Sequence, residues 1–150
     1  MPSTPLATRS VLGHCAASPQ AVWDCLSDVA RWHEWNPGVR SAALDGLFAE
    51  GAWFTMDLPE GMSLRSRLVD VVPARCFTDE TEVGPMMVRV RHEILPSASA
   101  DGTGCRICYT IEVRGPDAQS LCDEVSSDFP QVIEALAQRA QAASTSRDAA

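Results

Sequence analysis

Lysine does not occur in this chain; all 12 basic residues are arginine. That excludes a Schiff-base lysine and a phosphate-cradling loop ending in Gly-Lys. Long apolar runs are missing as well, and no stretch approaches the roughly 18 residues of a membrane-spanning helix. The first nine residues have no cationic start followed by an apolar core, so they do not read as a signal peptide and a cytoplasmic protein is expected. There is no G-x-S-x-G, no H-E-x-x-H, no glycine-rich dinucleotide loop and no EF-hand pattern. The three histidines, His14, His33 and His92, fall on separate elements without ligand spacing. No cofactor and no metal are therefore expected. The 20 acidic residues outnumber the basic ones and leave a formal charge of −8. Nucleic acid and anionic membrane surfaces are excluded as partners on that ground.

What is present is a globular composition: 150 residues, 45% hydrophobic and 21% charged. This is the size of one domain, large enough for a core and one internal cavity. The six cysteines read as small buried hydrophobes of a reducing compartment. Cys105 and Cys108 form a C-x-x-C, but on a strand the two sulfurs point to opposite faces, which argues against a shared metal.

A helix start is legible at Ser18 (N-cap) and Pro19 (first helical position), followed by Val22, Leu26 and Val29 on one face. Asp28 is placed to cap a second short helix over residues 29–35, in which Trp32 and Trp35 share a face and which Pro37 ends. An opening strand is expected over residues 8–16. From residue 38 to 115 the period is two, with strands expected over 39–44, 52–58, 63–72, 76–81, 87–95 and 105–114. Short breakers between them favour antiparallel hairpins. Val88, Val90, His92 and Ile94 share one face of the fifth of these. Cys105, Ile107, Tyr109, Ile111 and Val113 share one face of the sixth. The opposite faces carry Arg89, Arg91, Glu93, Arg106, Glu112 and Arg114, a solvated surface with cross-strand pairs. Within 63–72, either Leu64, Ser66 and Leu68 or Val69 and Val71 can face inward, and a bulge would allow both. The dry face needs a cover. Residues 117–142 supply one, with Leu121, Val125, Phe129, Val132, Ile133, Leu136 and Ala140 in a helical stripe that Pro130 kinks or splits.

Several motifs carry a resemblance: Ser18-Pro19, Val22-Trp23, Asp28, Trp32 and Trp35-Asn36-Pro37-Gly38 at the start. Gly51 ahead of Phe54 and Met56, Val71-Val72-Pro73 ahead of Phe77, His92-Glu93-Ile94, Asp101-Gly102-Thr103 and Gly115-Pro116 follow in order. The chain resembles the polyketide cyclase/dehydrase group of the START and birch-pollen-allergen (SRPBCC) superfamily over about residues 8–142. The resemblance implies an α+β helix-grip fold: a curved antiparallel β-sheet wrapped around a long C-terminal helix, with two short helices near the N-terminus. It also implies a pocket between sheet and helix for apolar or amphipathic molecules. It does not imply one chemistry, since such members include cyclases, aromatases and carriers. Residues 1–7 and 143–150 are expected to be flexible ends around one domain, 8–142.

His92 reads either as a core histidine satisfied by a backbone group or as a pocket acid/base. Tyr109 reads as core packing or as a donor to a ligand oxygen. Asp79 shares a face with Phe77 and Thr81, and is either exposed near its hairpin end or turned inward with them. Hairpin register brings Asp79 near Val90 or His92, and His92 near Ile107 or Tyr109. An Asp79–His92–Tyr109 cluster is thus expected, with His92 moving a proton and Tyr109 donating to a carbonyl or enolate oxygen. Trp35, Phe54, Met56, Phe77, Val90, Phe129 and Ile133 are core positions that in this fold line a cavity. The expected partner is a small hydrophobic or amphipathic molecule, bound by a monomer or homodimer. Binding or carriage is favoured over cyclase or dehydratase chemistry, and both over an adaptor that uses an exposed Trp53 as contact.

Overall fold

The period-two stretches resolve into strands in a computed structural model that describes residues 4–149, with side chains described from 4 to 143. The flexibility expected of residues 1–3 and of side chains 144–150 lies outside those residues. Seven strands, β1 (Leu6–Cys15), β2 (Ser41–Asp45), β3 (Trp53–Asp57), β4 (Ser63–Val72), β5 (Cys76–Val83), β6 (Met86–Pro96) and β7 (Cys105–Arg114), form one sheet. Its order is β1-β7-β6-β5-β4-β3-β2, antiparallel throughout. β1 begins earlier than the expected domain start because Ala7, opposite Val113, is buried on the sheet's dry face.

Parity decides the faces. Val88, Val90, His92 and Ile94 on β6, and Cys105, Ile107, Tyr109, Ile111 and Val113 on β7, are all buried. The other face carries charge, with Arg89 on Glu80 at 2.6 Å, Arg91 on Asp70 at 3.4 Å and Arg114 on Glu112 at 3.0 Å. Cys108 lies on that face, across the strand from Cys105. In β4 the register shifts between Leu68 and Asp70. This bulge lets Ser66 and Leu68 face inward before it and Val71 pack on the core after it.

The helices cap and cover this sheet. Ser18 Oγ accepts from the Ala21 amide at 3.2 Å and opens α1 (Pro19–Ser27). The next segment is a 3-10 helix, Val29–Glu34, and Asp28 makes no side-chain cap to it. The Asp28 carboxylate pairs with Arg31 at 3.6 Å instead. Trp32 is buried and donates its indole N–H to the Leu26 carbonyl at 3.0 Å, which pins the 3-10 helix to α1.

The C-terminal stripe is two helices, α2 (Ala118–Ser126) and α3 (Phe129–Ala149). Pro130 stands in the first turn of α3, where a missing N–H costs nothing. Because the chain breaks at Ser127-Asp128, the apolar face does not run straight through. α2 buries Ala118, Cys122 and Ser126, leaving Leu121 and Val125 half-buried. α3 buries Phe129, Val132, Ile133, Leu136, Ala137 and Ala140 against β1, β7 and α1. Arg9 of β1 closes the end of α2, donating to the Ser126 carbonyl at 3.3 Å and to its hydroxyl at 3.2 Å. Gly13 permits the close approach of α3 to β1, since a Cβ there would stand 2.5 Å from Ile133 Cγ2. Among the described residues no helix is long and apolar enough to cross a membrane.

Candidate ligand-binding site

Phe77 pairs with His92 across β5 and β6, and His92 with Tyr109 across β6 and β7. All three point inward from the middle of the sheet. Direct cross-strand neighbours on one face are close enough for their rings to touch. Phe77 stacks on the imidazole with centroids 4.0 Å apart, and Tyr109 meets it edge-on at 4.5 Å. The contacts continue on both sides. Phe129 of α3 packs edge-on to Tyr109 at 5.4 Å. Phe48, Trp23 and Trp32 pack on Phe77, and Phe54 packs on Trp32. All four phenylalanines of the chain belong to this one aromatic chain across the concave face.

Asp79 lies two residues beyond Phe77 and therefore on the same face. Its Oδ2 is 4.0 Å from His92 Nε2, with the two side chains 14% and 11% exposed. The structure thus brings Asp79, His92 and Tyr109 together on the dry side of the sheet. His92 Nδ1 is 3.3 Å from the Phe77 carbonyl, so Nδ1 carries the hydrogen and Nε2 faces Asp79 as an acceptor. Burial lowers the His92 pKa to about 3, against the smaller raising effect of the backbone bonds, and the ring is neutral at pH 7. Burial raises Asp79 to about 7. Burial also raises Tyr109, with smaller contributions from the negative charges of Asp79 and Asp128.

Neither the Asp79 carboxyl nor the Tyr109 hydroxyl has a hydrogen-bond partner among the described residues. Every fully enclosed polar side-chain atom there does have one. The unpartnered oxygens of Asp79 and Tyr109 must therefore touch accessible space.

Asp128 is a neighbour that the sequence reading passed over. It sits at the α2–α3 break, next to Phe129, and its Oδ2 would be 3.0 Å from a Cβ on Gly38. Burial pushes its pKa up. An acidic residue two ahead of a proline is a helix-start signal that could have marked it. Phe48 was also missed, because the loop between β2 and β3 carries no strand or helix pattern.

The expected lining residues divide. Phe54 and Phe77 are fully buried, Phe77 among four other rings and Phe54 against Trp32, and Val90 and Phe129 are buried beside the cluster. Met56 is half-buried at the β3 end of the core. Ile133 lines a groove of about 350 Å3 between β1 and α3, with Val11, Gly13, Pro130 and Ala137 among its walls. Trp35 lines a separate crevice of about 170 Å3 beside Arg139. Neither space includes Asp79, His92 or Tyr109. Trp53 is 42% exposed, with the Arg65 guanidinium 5.4 Å above its ring.

A family model described as polyketide cyclase/dehydrase and lipid transport matches residues 7–144. The chain belongs to that family. Its fold recurs in solved structures of low identity. A norcoclaurine synthase point mutant from Thalictrum flavum, in complex with a transition-state analogue, superposes with a TM-score of 0.75 at 12% identity, covering 96% of this chain and 99% of that one. Ara h 8.0201 gives 0.73 at 12%, covering 92% and 99%. Protein MLL2253 from Mesorhizobium loti gives 0.70 at 20%, covering 89% and 96%. These likenesses establish the helix-grip α+β fold that the family shares. No protein of curated function matches the chain in sequence.

Proposed function

We propose that this member of the polyketide cyclase/dehydrase and lipid transport family binds a small amphipathic molecule whose polar end meets Asp79, His92 and Tyr109. The observation that carries the reading is the pair of unpartnered groups, the Asp79 carboxyl and the Tyr109 hydroxyl, inside the otherwise dry face of the sheet. Their oxygens reach accessible space without a protein partner, and the polar end of a ligand takes the place of water on them. Val90, Phe129 and the aromatic chain supply the apolar surroundings.

One observation favours a catalytic version of the same site. Asp79, with a pKa near 7, is suited to taking and returning a proton at neutral pH, whereas His92 is held neutral. In a cyclisation or dehydration Asp79 would move the proton, Tyr109 would donate to the developing enolate oxygen, and His92 would position both. The role of proton carrier then passes from His92 to Asp79.

Native mass spectrometry of the purified protein tests the reading. A small molecule of reproducible mass, released on collisional activation, is the expected result. Bare protein alone, with no change in Tm on adding 1-octanol, overturns it. Conversion of the released molecule on reincubation with fresh protein selects the catalytic version; recovery unchanged selects carriage.

A further inference from the structure

Resting on that reading, we infer that the bound molecule carries a cationic nitrogen, a protonated amine, seated against Asp79 and Tyr109. The polar atoms at this place are almost all acceptors. Asp79 brings two carboxyl oxygens. His92 has committed its one N–H to the Phe77 carbonyl, which leaves Nε2 as an acceptor. The Tyr109 hydroxyl, on a residue only 4% exposed, is the one fixed donor and has no partner among the described residues.

No positive charge answers this carboxyl. Among the described residues no arginine forms an ion pair with Asp79, and its one charged-type neighbour, His92, is neutral. The chain offers no lysine. An ammonium group brings three N–H donors and the missing charge together. A carboxylate or phosphate head would meet the like charge of Asp79, with the Tyr109 hydroxyl as its one fixed donor. The net charge of −8 also favours approach of a cation over an anion.

The test compares n-octylamine, 1-octanol and octanoate, equal in chain length and different in head group, by displacement of Nile red near neutral pH. The intact chain is expected to bind octylamine about tenfold more tightly than octanol, with octanoate weakest. Asp79→Asn should bring octylamine to within about twofold of octanol and leave octanol unchanged, with Tm confirming that the variant is folded. Glu60→Gln, an exposed turn position, should leave the preference intact. Octanol or octanoate binding as tightly as octylamine, or a preference that survives Asp79→Asn, overturns the inference and leaves ligand binding standing. Failure of all three to bind overturns the ligand-binding reading, and the inference with it.

Discussion

Phe77 holds His92 in two ways at once: its ring lies flat on the imidazole, 4.0 Å away at 10°, and its carbonyl accepts from Nδ1 at 3.3 Å. The direct pairing of the two residues across β5 and β6 makes both contacts possible. The carbonyl bond fixes the tautomer, while burial keeps the ring neutral.

Burial of the imidazole has a cost in acid. His92 is held at about 3 when folded and returns to about 6.5 when unfolded, so the unfolded chain takes up the extra proton. Stability from this group is complete above pH 6.5 and is lost as pH falls toward 3, with a slope of about 1.4 kcal/mol per pH unit. His92→Asn retains an N–H for the Phe77 carbonyl and does not titrate. Urea denaturation should show this variant gaining on the parent as pH falls from about 6.5 to about 4. A constant difference across that range contradicts the prediction.

Asp79 works in the opposite direction. Its folded pKa of about 7 lies above the ordinary 3.8, so the folded chain holds the extra proton between these values. Its contribution is complete below pH 3.8 and is lost as pH rises through 7. Asp79→Asn should therefore be more stable than the parent near pH 8, by roughly 2–4 kcal/mol, with the advantage vanishing near pH 4. In the parent the two slopes oppose each other between about 4 and 6.5. A variant that is less stable than the parent at pH 8 sinks the assignment.

The seat of α3 on β1 depends on Gly13. In Gly13→Ala the new methyl meets Ile133 Cγ2 at 2.5 Å, and Ile133 is too stiff at its branched carbon to turn away. A loss of about 1–3 kcal/mol is expected by chemical denaturation. Ile133→Leu removes the offending branch and should recover much of it in the double variant. Additive effects of the two substitutions would contradict this packing.

The sheet and its inward face were legible because parity is rigid: once Val88, Val90 and Ile94 face the core, His92 must as well. The one real ambiguity, in β4, was settled by a bulge that the mixed pattern around Val69 already allowed. Asp79 followed Phe77 inward for the same reason, although a carboxyl near a hairpin reads equally well as exposed. Asp128 was hidden because its place depends on how two helices meet at Ser127-Asp128, which no period records. Aromatic residues gave the weakest guidance. A ring that fills the core and a ring that lines a cavity have the same spacing, and Phe54 and Phe77 proved to be enclosed by their neighbours.

Tyr109 is the single tyrosine of the chain, so a tyrosine 13Cζ label gives one resonance from the centre of the site. Its pKa is raised by burial, with the charges of Asp79 and Asp128 adding to the effect, so the resonance should keep its phenol position through the pH range in which free tyrosine ionises. Titration of the labelled protein with 1-octanol, followed by NMR at neutral pH, is the most direct measurement. The account predicts a saturable shift of that one line, in step with displacement of Nile red. A line that stays still while Nile red is displaced would put the ligand elsewhere, in the groove between β1 and α3, and would contradict the central claim.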